Sequence, residues 1–191
     1  MTVESIAHPA ASCGVLILFA LLAATASGAA RLLETSVTVS APLAEVWNVW
    51  TTSAGAASFF APQANIQLQV GAPYEIFFNP ADERLSTKGC KVLSYLPEEM
   101  LSFQWSLPGD VFPELPKGGT WVVVTMRAAA PDRTRVTISH LGWGDGAVWD
   151  RAYAHMQRGW ADLAQRFEQR FTSGPIDWQS QAMMWQERAP K

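Results

Sequence analysis

The chain predicts an α+β fold, a curved antiparallel sheet of six or seven strands closed over one long C-terminal helix, and three observations carry that reading. Apolar residues recur in steps of three or four at Trp149, Tyr153, Met156, Trp160, Leu163, Phe167 and Phe171, which places all seven on one stripe of a helix. Between Asn65 and Leu141 the period changes to two, in short runs rich in Val, Ile, Thr and aromatic residues. Each run is bounded by turn chemistry, at Gly71-Ala72-Pro73, Asn79-Pro80, Pro97-Glu98-Glu99, Pro108-Gly109-Asp110 and Pro131-Asp132, as sequential hairpins require.

Residues 1–30 read as a signal peptide or an N-terminal anchor, not as fold. Gly14 to Ala24 is an apolar run of secretory length, shorter than the roughly 20 residues of a bilayer span. Ala24-Thr25-Ala26 and Ser27-Gly28-Ala29 both satisfy the small-x-small rule for signal peptidase, so export to the periplasm or the medium is expected. The segment before the run is atypical of a signal in carrying no Lys or Arg; Cys13 precedes the run instead of following it, and that position argues against a lipoprotein signal. Residues 31–172 form the single domain, and 173–191 a tail with Ile176, Trp178, Met183, Met184 and Trp185 that either docks or stays free.

Within the domain, Leu33 to Ser40 alternates and forms the first strand, with Leu33, Thr35, Val37 and Val39 on one face. Pro42 suits a first helical turn and opens a short helix with Val46, Trp47 and Trp50 inward. A second short helix follows through Ser53 to Ala57 and ends at Phe59-Phe60, which cap the core. The remaining strands are Ile66 to Val70, Tyr74 to Phe78, Thr87 to Tyr95, Leu101 to Trp105, Thr120 to Met126 and Arg135 to Leu141. Ser106 to Gly119 is a long Pro- and Gly-rich connection that carries Val111, Phe112 and Leu115; it either packs on the sheet rim or acts as a functional loop. The helix ends at Thr172-Ser173-Gly174-Pro175. Its outer face, Arg151, Gln157, Arg158, Asp162, Gln165, Arg166, Glu168 and Gln169, is read as wet.

These residues resemble a family. Ala41-Pro42-Leu43-Ala44-Glu45-Val46-Trp47, Leu101-Ser102-Phe103-Gln104-Trp105, Thr134 to Gly142 and Arg158-Gly159-Trp160-Ala161-Asp162-Leu163 are similar to the SRPBCC (START-like) superfamily. Within it, the chain looks like the group that resembles the C-terminal domain of the heat shock protein 90 ATPase activator, and the Gly159-Trp160 pair is the most specific element. The resemblance implies a helix-grip fold whose sheet and terminal helix enclose an apolar cavity. It also implies one of several functions, since members include hydrophobic-ligand carriers, cyclases and stress-related proteins.

Composition narrows the chemistry. Net charge is −3 and the basic residues are scattered singly, so nucleic acid is not an expected partner, and a membrane is one only if the N-terminal segment is retained. Of three His and two Cys, His140, His155 and Cys90 follow the signal, too few for a dedicated metal site, and no Gly-rich phosphate loop follows a strand; no cofactor is expected. Cys90, inside a strand pattern, is either a buried inert thiol or an intermolecular pairing site. Seven Trp between Trp47 and Trp160 supply rigid apolar walls.

The expected ligand-lining residues are Phe103, Trp105, Trp121, His140, Met156 and Trp160, with a hydrophobic or aromatic small molecule as occupant and no catalysis evident. Were the protein a cyclase or isomerase, His140 or Glu75 would move the proton; Glu75 shares a face with Phe77, and the alternation in Tyr74 to Phe78 allows either face to be the concave one. A third reading is an interaction module that docks a partner protein through Val111, Phe112 and Leu115 or through the tail.

Overall fold

The computed structural model describes residues 31–180. The apolar run, the cleavage region and Met183, Met184 and Trp185 lie outside the described residues. The elements are β1 (Leu33–Val39), α1 (Leu43–Thr51), α2 (Ser53–Ala57), β2 (Gln63–Ile66), β3 (Tyr74–Phe77), β4 (Val92–Leu96), β5 (Met100–Trp105), β6 (Thr120–Ala130), β7 (Arg133–Leu141) and α3 (Ala147–Ser173). All strand pairs are antiparallel. Five strands form one sheet in the order β1-β7-β6-β5-β4, and β2 and β3 form a second, two-stranded sheet.

Seven strands thus split into five and two. Pro73 has no N–H to donate, and it joins Lys91 in an isolated bridge where β3 approaches β4. Backbone bonds from Tyr74 N to the Cys90 carbonyl and from Val92 N to the Ala72 carbonyl continue the contact across the bend. Two strand boundaries move from those expected. Gln67 to Val70 is a turn and not the body of a strand, and Thr87 to Cys90 closes its own turn, so β4 begins only at Val92.

Alternation defines the inner face of the sheet: Leu101, Phe103 and Trp105 on β5, Val122, Val124 and Met126 on β6, and Val136, Ile138 and His140 on β7 are buried. α3 presents Ala152, Met156, Trp160, Leu163 and Phe167 to that face. At one end the core is aromatic. Trp50 meets Phe59, Phe60 and Phe167 at centroid distances of 5.1, 5.8 and 5.6 Å, and Tyr74 stacks on Phe103 at 3.9 Å while its hydroxyl donates to the Trp50 carbonyl at 3.0 Å.

Both ends of α3 are tied to the chain that precedes it. Arg31 reaches Asp150 at 2.7 Å and lies 4.8 Å over the Tyr153 ring, whose hydroxyl donates to the Leu32 carbonyl. Beyond the helix, Ile176 is buried with its N–H on the Ser58 carbonyl, and the Trp178 indole donates to the Ala57 carbonyl at 2.7 Å. This part of the tail is docked on the end of α2.

The Cys90 thiol is buried 3.3 Å from the Ser106 hydroxyl, and burial raises its pKa, so it sits as the inert, protonated form.

Trp121 is the clearest correction. Its neighbours Thr120 and Val122 point inward, so by the period of two Trp121 points outward, and it is 40% exposed. There its ring covers Gly142, whose φ of 87° favours glycine and where an added Cβ would lie 2.6 Å from the indole. Gly142→Ala is expected to destabilise by more than about 1 kcal/mol in urea denaturation. Adding Trp121→Ala should recover the steric part of that loss and leave the backbone part.

Candidate functional site

His140 is fully buried between the sheet and α3. An indole N–H can only donate, so the 3.0 Å bond from Trp160 Nε1 makes His140 Nδ1 an acceptor and puts the ring proton on Nε2. That proton goes to Thr120 Oγ1 at 2.9 Å, and the Thr120 hydroxyl donates onward to the Trp105 carbonyl at 3.0 Å. The Trp143 indole donates to the carbonyl of His140 itself. Both ring nitrogens are consumed. Burial pushes the His140 imidazole down to about 3, so it is neutral across the physiological range.

Beside this chain a cavity of about 260 Å³ opens between α3 and the sheet. Trp105 and Trp160, 5.0 Å apart between centroids, form one wall together with Phe60 and Phe78. Met156, Gly159 and Leu163 on α3 form the floor, and Leu85, Pro108 and Val111 the rim. Its polar side chains are Ser86, Ser106, His155 and Arg166, and no Asp or Glu lines it. The His155 ring meets Phe112 edge-on at 5.5 Å, and its pKa is lowered, first by desolvation and then by Arg158. A second, polar depression of about 310 Å³ shares Ser86 and Ser106 with the first; there Arg84 and Lys88 are already held by Asp82 and Glu83, at 2.7 and 2.6 Å.

Of the six expected lining residues the structure brings Trp105, Met156 and Trp160 together on the cavity wall. Phe103 is one layer deeper, under Tyr74; His140 lies behind Trp105 and Trp160, with its polar atoms turned to Thr120 and Trp160; Trp121 is on the outer face. Glu75 is also away from the cavity: Tyr74 and Ile76 take the buried side, and its carboxylate accepts from Asn65 Nδ2 and Gly89 N, each at 2.8 Å. The long connection contributes to the site differently from a docking loop, since Phe112 is buried and Val111 stands at the rim.

Sequence reasoning missed Phe60, Phe78, His155 and above all Arg166, which it placed on the wet face of α3. Arg166 follows Gly159 by seven residues and Leu163 by three, so a stripe counted from Gly159 would have included it. Its Nε is buried without a hydrogen-bond partner, and burial lowers its pKa against a smaller opposing effect of Asp162.

The His140 shift has a definite sign. The folded pKa lies below the ordinary value near 6.5, so the unfolded chain takes up the proton first as pH falls. Stability is complete above about pH 6.5 and declines toward pH 3, by up to about 1.4 kcal/mol per pH unit. His140→Asn removes this dependence: between pH 7 and pH 4.5 the wild type should lose about 2–3 kcal/mol more than the variant, read as the difference of two urea titrations.

The model of the family described as Activator of Hsp90 ATPase homolog 1-like protein matches residues 40–172. No curated protein matches the chain. Among solved structures, protein MLL2253 from Mesorhizobium loti is 19% identical with a TM-score of 0.60, over 76% of this chain and all of that one. The Aha1 dimer from Colwellia psychrerythraea is 17% identical with a TM-score of 0.56, over 75% and 98% of the two chains. PFC0360w, an HSP90 activator from Plasmodium falciparum, is 14% identical with a TM-score of 0.50, over 76% and 97%. At such identities the likeness establishes a common fold, the helix grip. The family match, extending from the end of β1 to the last turn of α3, establishes more: this chain belongs to the Activator of Hsp90 ATPase homolog 1-like family of the SRPBCC superfamily.

Proposed function

We propose that this protein binds a hydrophobic or aromatic small molecule in the cavity between α3 and the sheet, as a carrier or sensor that needs no cofactor. The observation that carries the reading is the cavity itself. At about 260 Å³ it has the volume of roughly nine water molecules, yet its walls are Trp105, Trp160, Phe60, Phe78, Met156 and Leu163, which offer water few partners. Such a space suits an aromatic body of about two rings, or a chain of similar bulk, near the lower end of small-molecule sites. Gly159 supports the reading: in mid-helix, where Ala would be more favourable by about 1 kcal/mol, it keeps the floor bare.

The family admits a second reading, action on a chaperone ATPase. The small-molecule reading is preferred because the buried surface between sheet and helix is incompletely filled. We propose further that the protein is exported; the Gly14 to Ala24 run and the small residues after it support that reading.

A neutral fluorescent probe, N-phenylnaphthylamine, should gain emission on binding, with energy transfer from Trp105 and Trp160. A Cβ on Gly159 would meet only the Met156 methyl, at 3.9 Å, so larger side chains there enter the cavity without striking the backbone. Gly159→Leu is therefore expected to abolish probe binding while the protein melts at or above the wild-type temperature, and Gly159→Ala to stabilise by about 0.5–1 kcal/mol. Equal probe binding by wild type and Gly159→Leu would sink the cavity reading.

A further inference from the structure

The cavity is apolar in area but not neutral in charge. Arg166 is one of its lining residues, and among the described residues no carboxylate lies within ion-pair distance of it. Its Nε–H is buried without an acceptor, and so is the Nε1–H of Trp105, a second lining residue. Orphaned buried donors are rare, because each forfeits its hydrogen bond to water without replacement. Two of the three such atoms among the described residues belong to the walls of one cavity. The third, Trp50 Nε1, belongs to the aromatic core.

Among the described residues nothing neutralises Arg166. Asp162 is one turn away on α3 but is not on the cavity wall, and the cavity has no acidic residue. Trp178 supplies only an aromatic face, 5.7 Å from the guanidinium carbon. The nearby cations behave otherwise: Arg84 and Lys88 have carboxylate partners, and Lys117 is exposed. Resting on the small-molecule reading above, we propose that the occupant is an amphipathic acid, with an aromatic or aliphatic body against Trp105, Trp160 and Met156 and a carboxylate or similar anionic oxygen group received by Arg166. A half-buried guanidinium with its Nε–H unpaired favours such a group over its neutral isostere.

The test is a matched pair, naphthoate and naphthamide, of nearly equal size and differing in charge, measured by displacement of N-phenylnaphthylamine and by titration calorimetry. Wild type should prefer naphthoate by about tenfold or more, the range of a charge-assisted hydrogen bond. Arg166→Met should bind both alike, at the affinity of the wild type for naphthamide, and should melt no lower than wild type, since it removes an uncompensated charge. Arg166→Lys, which keeps the charge without the planar fork, should retain part of the preference. Equal wild-type binding of the two compounds, or a preference that survives Arg166→Met, overturns the anionic anchor and leaves the cavity reading standing. Failure of either compound and of the probe to bind at all overturns both.

Discussion

The hydrogen-bonded chain that runs from the Trp160 indole through the His140 ring and the Thr120 hydroxyl to the Trp105 carbonyl is the constraint on which the rest of this structure depends. Its four residues come from α3, β7, β6 and β5, so one polar thread joins the helix to three adjacent strands of the sheet. Because an indole N–H can only donate and a neutral imidazole has one donor and one acceptor, each link fixes the direction of the next. The chain is complete, which is why it tolerates full burial, and a buried polar chain in a low-dielectric core specifies one arrangement far more sharply than apolar contact does. It sets how close Trp160 comes to Trp105, and those two rings are the cavity wall.

The cavity follows from that spacing. At one end of α3 the interface is filled by Trp50, Phe59, Phe60 and Phe167 at centroid distances of 4.9 to 5.8 Å, as dense as aromatic packing allows. Toward the middle, Gly159 gives up its side chain opposite Phe78, Leu85 and Ser86, and the space is not closed. Arg31 with Asp150 ties one end of the helix, and Trp178 on Ala57 ties the chain beyond the other. The void thus depends on ties at both ends of the helix, on the hydrogen-bonded strut between Trp160 and the Trp105 carbonyl, and on the missing side chain of Gly159.

How much of this could be read from the chain divides by the physics involved. The long helix, the two short helices and the antiparallel hairpins follow from local periodicity and turn residues, and they were legible. The division into five strands and two was not, because it turns on Pro73 lacking a donor at one bridge, a long-range matter of pairing. For the site, Trp105, Met156 and Trp160 were legible as large apolar residues on inward faces. Trp121 misled because aromaticity outweighed parity: Thr120, Val122 and Val124 mark the inner face, and an indole between them had to face out, where it shields Gly142. Arg166 was hidden by the opposite error, since a charged residue on an amphipathic helix is ordinarily assigned to water. No pattern within the helix could show that its neighbour across the gap would be a cavity and the docked Trp178.

The residues best suited to proton transfer by type are unsuited by placement, and that bears on what chemistry the cavity can support. His140 has both nitrogens bound and a pKa pushed down to about 3, so it neither gives nor takes a proton near neutrality without breaking the thread that positions Trp105 and Trp160. Glu75 has its carboxylate bound to Asn65 and Gly89 on the far side of β3. On the cavity wall, among the described residues, the titratable side chains are His155 at the rim and Arg166 within it, and a guanidinium binds anions without exchanging protons. An apolar space with one positive charge that no carboxylate among the described residues pairs, and with the lowered-pKa His155 as its one imidazole, supports the reading that it holds an acid. With His140 spent on holding the framework, Arg166 is the charged group on the wall left to receive a ligand, which supports the binding reading.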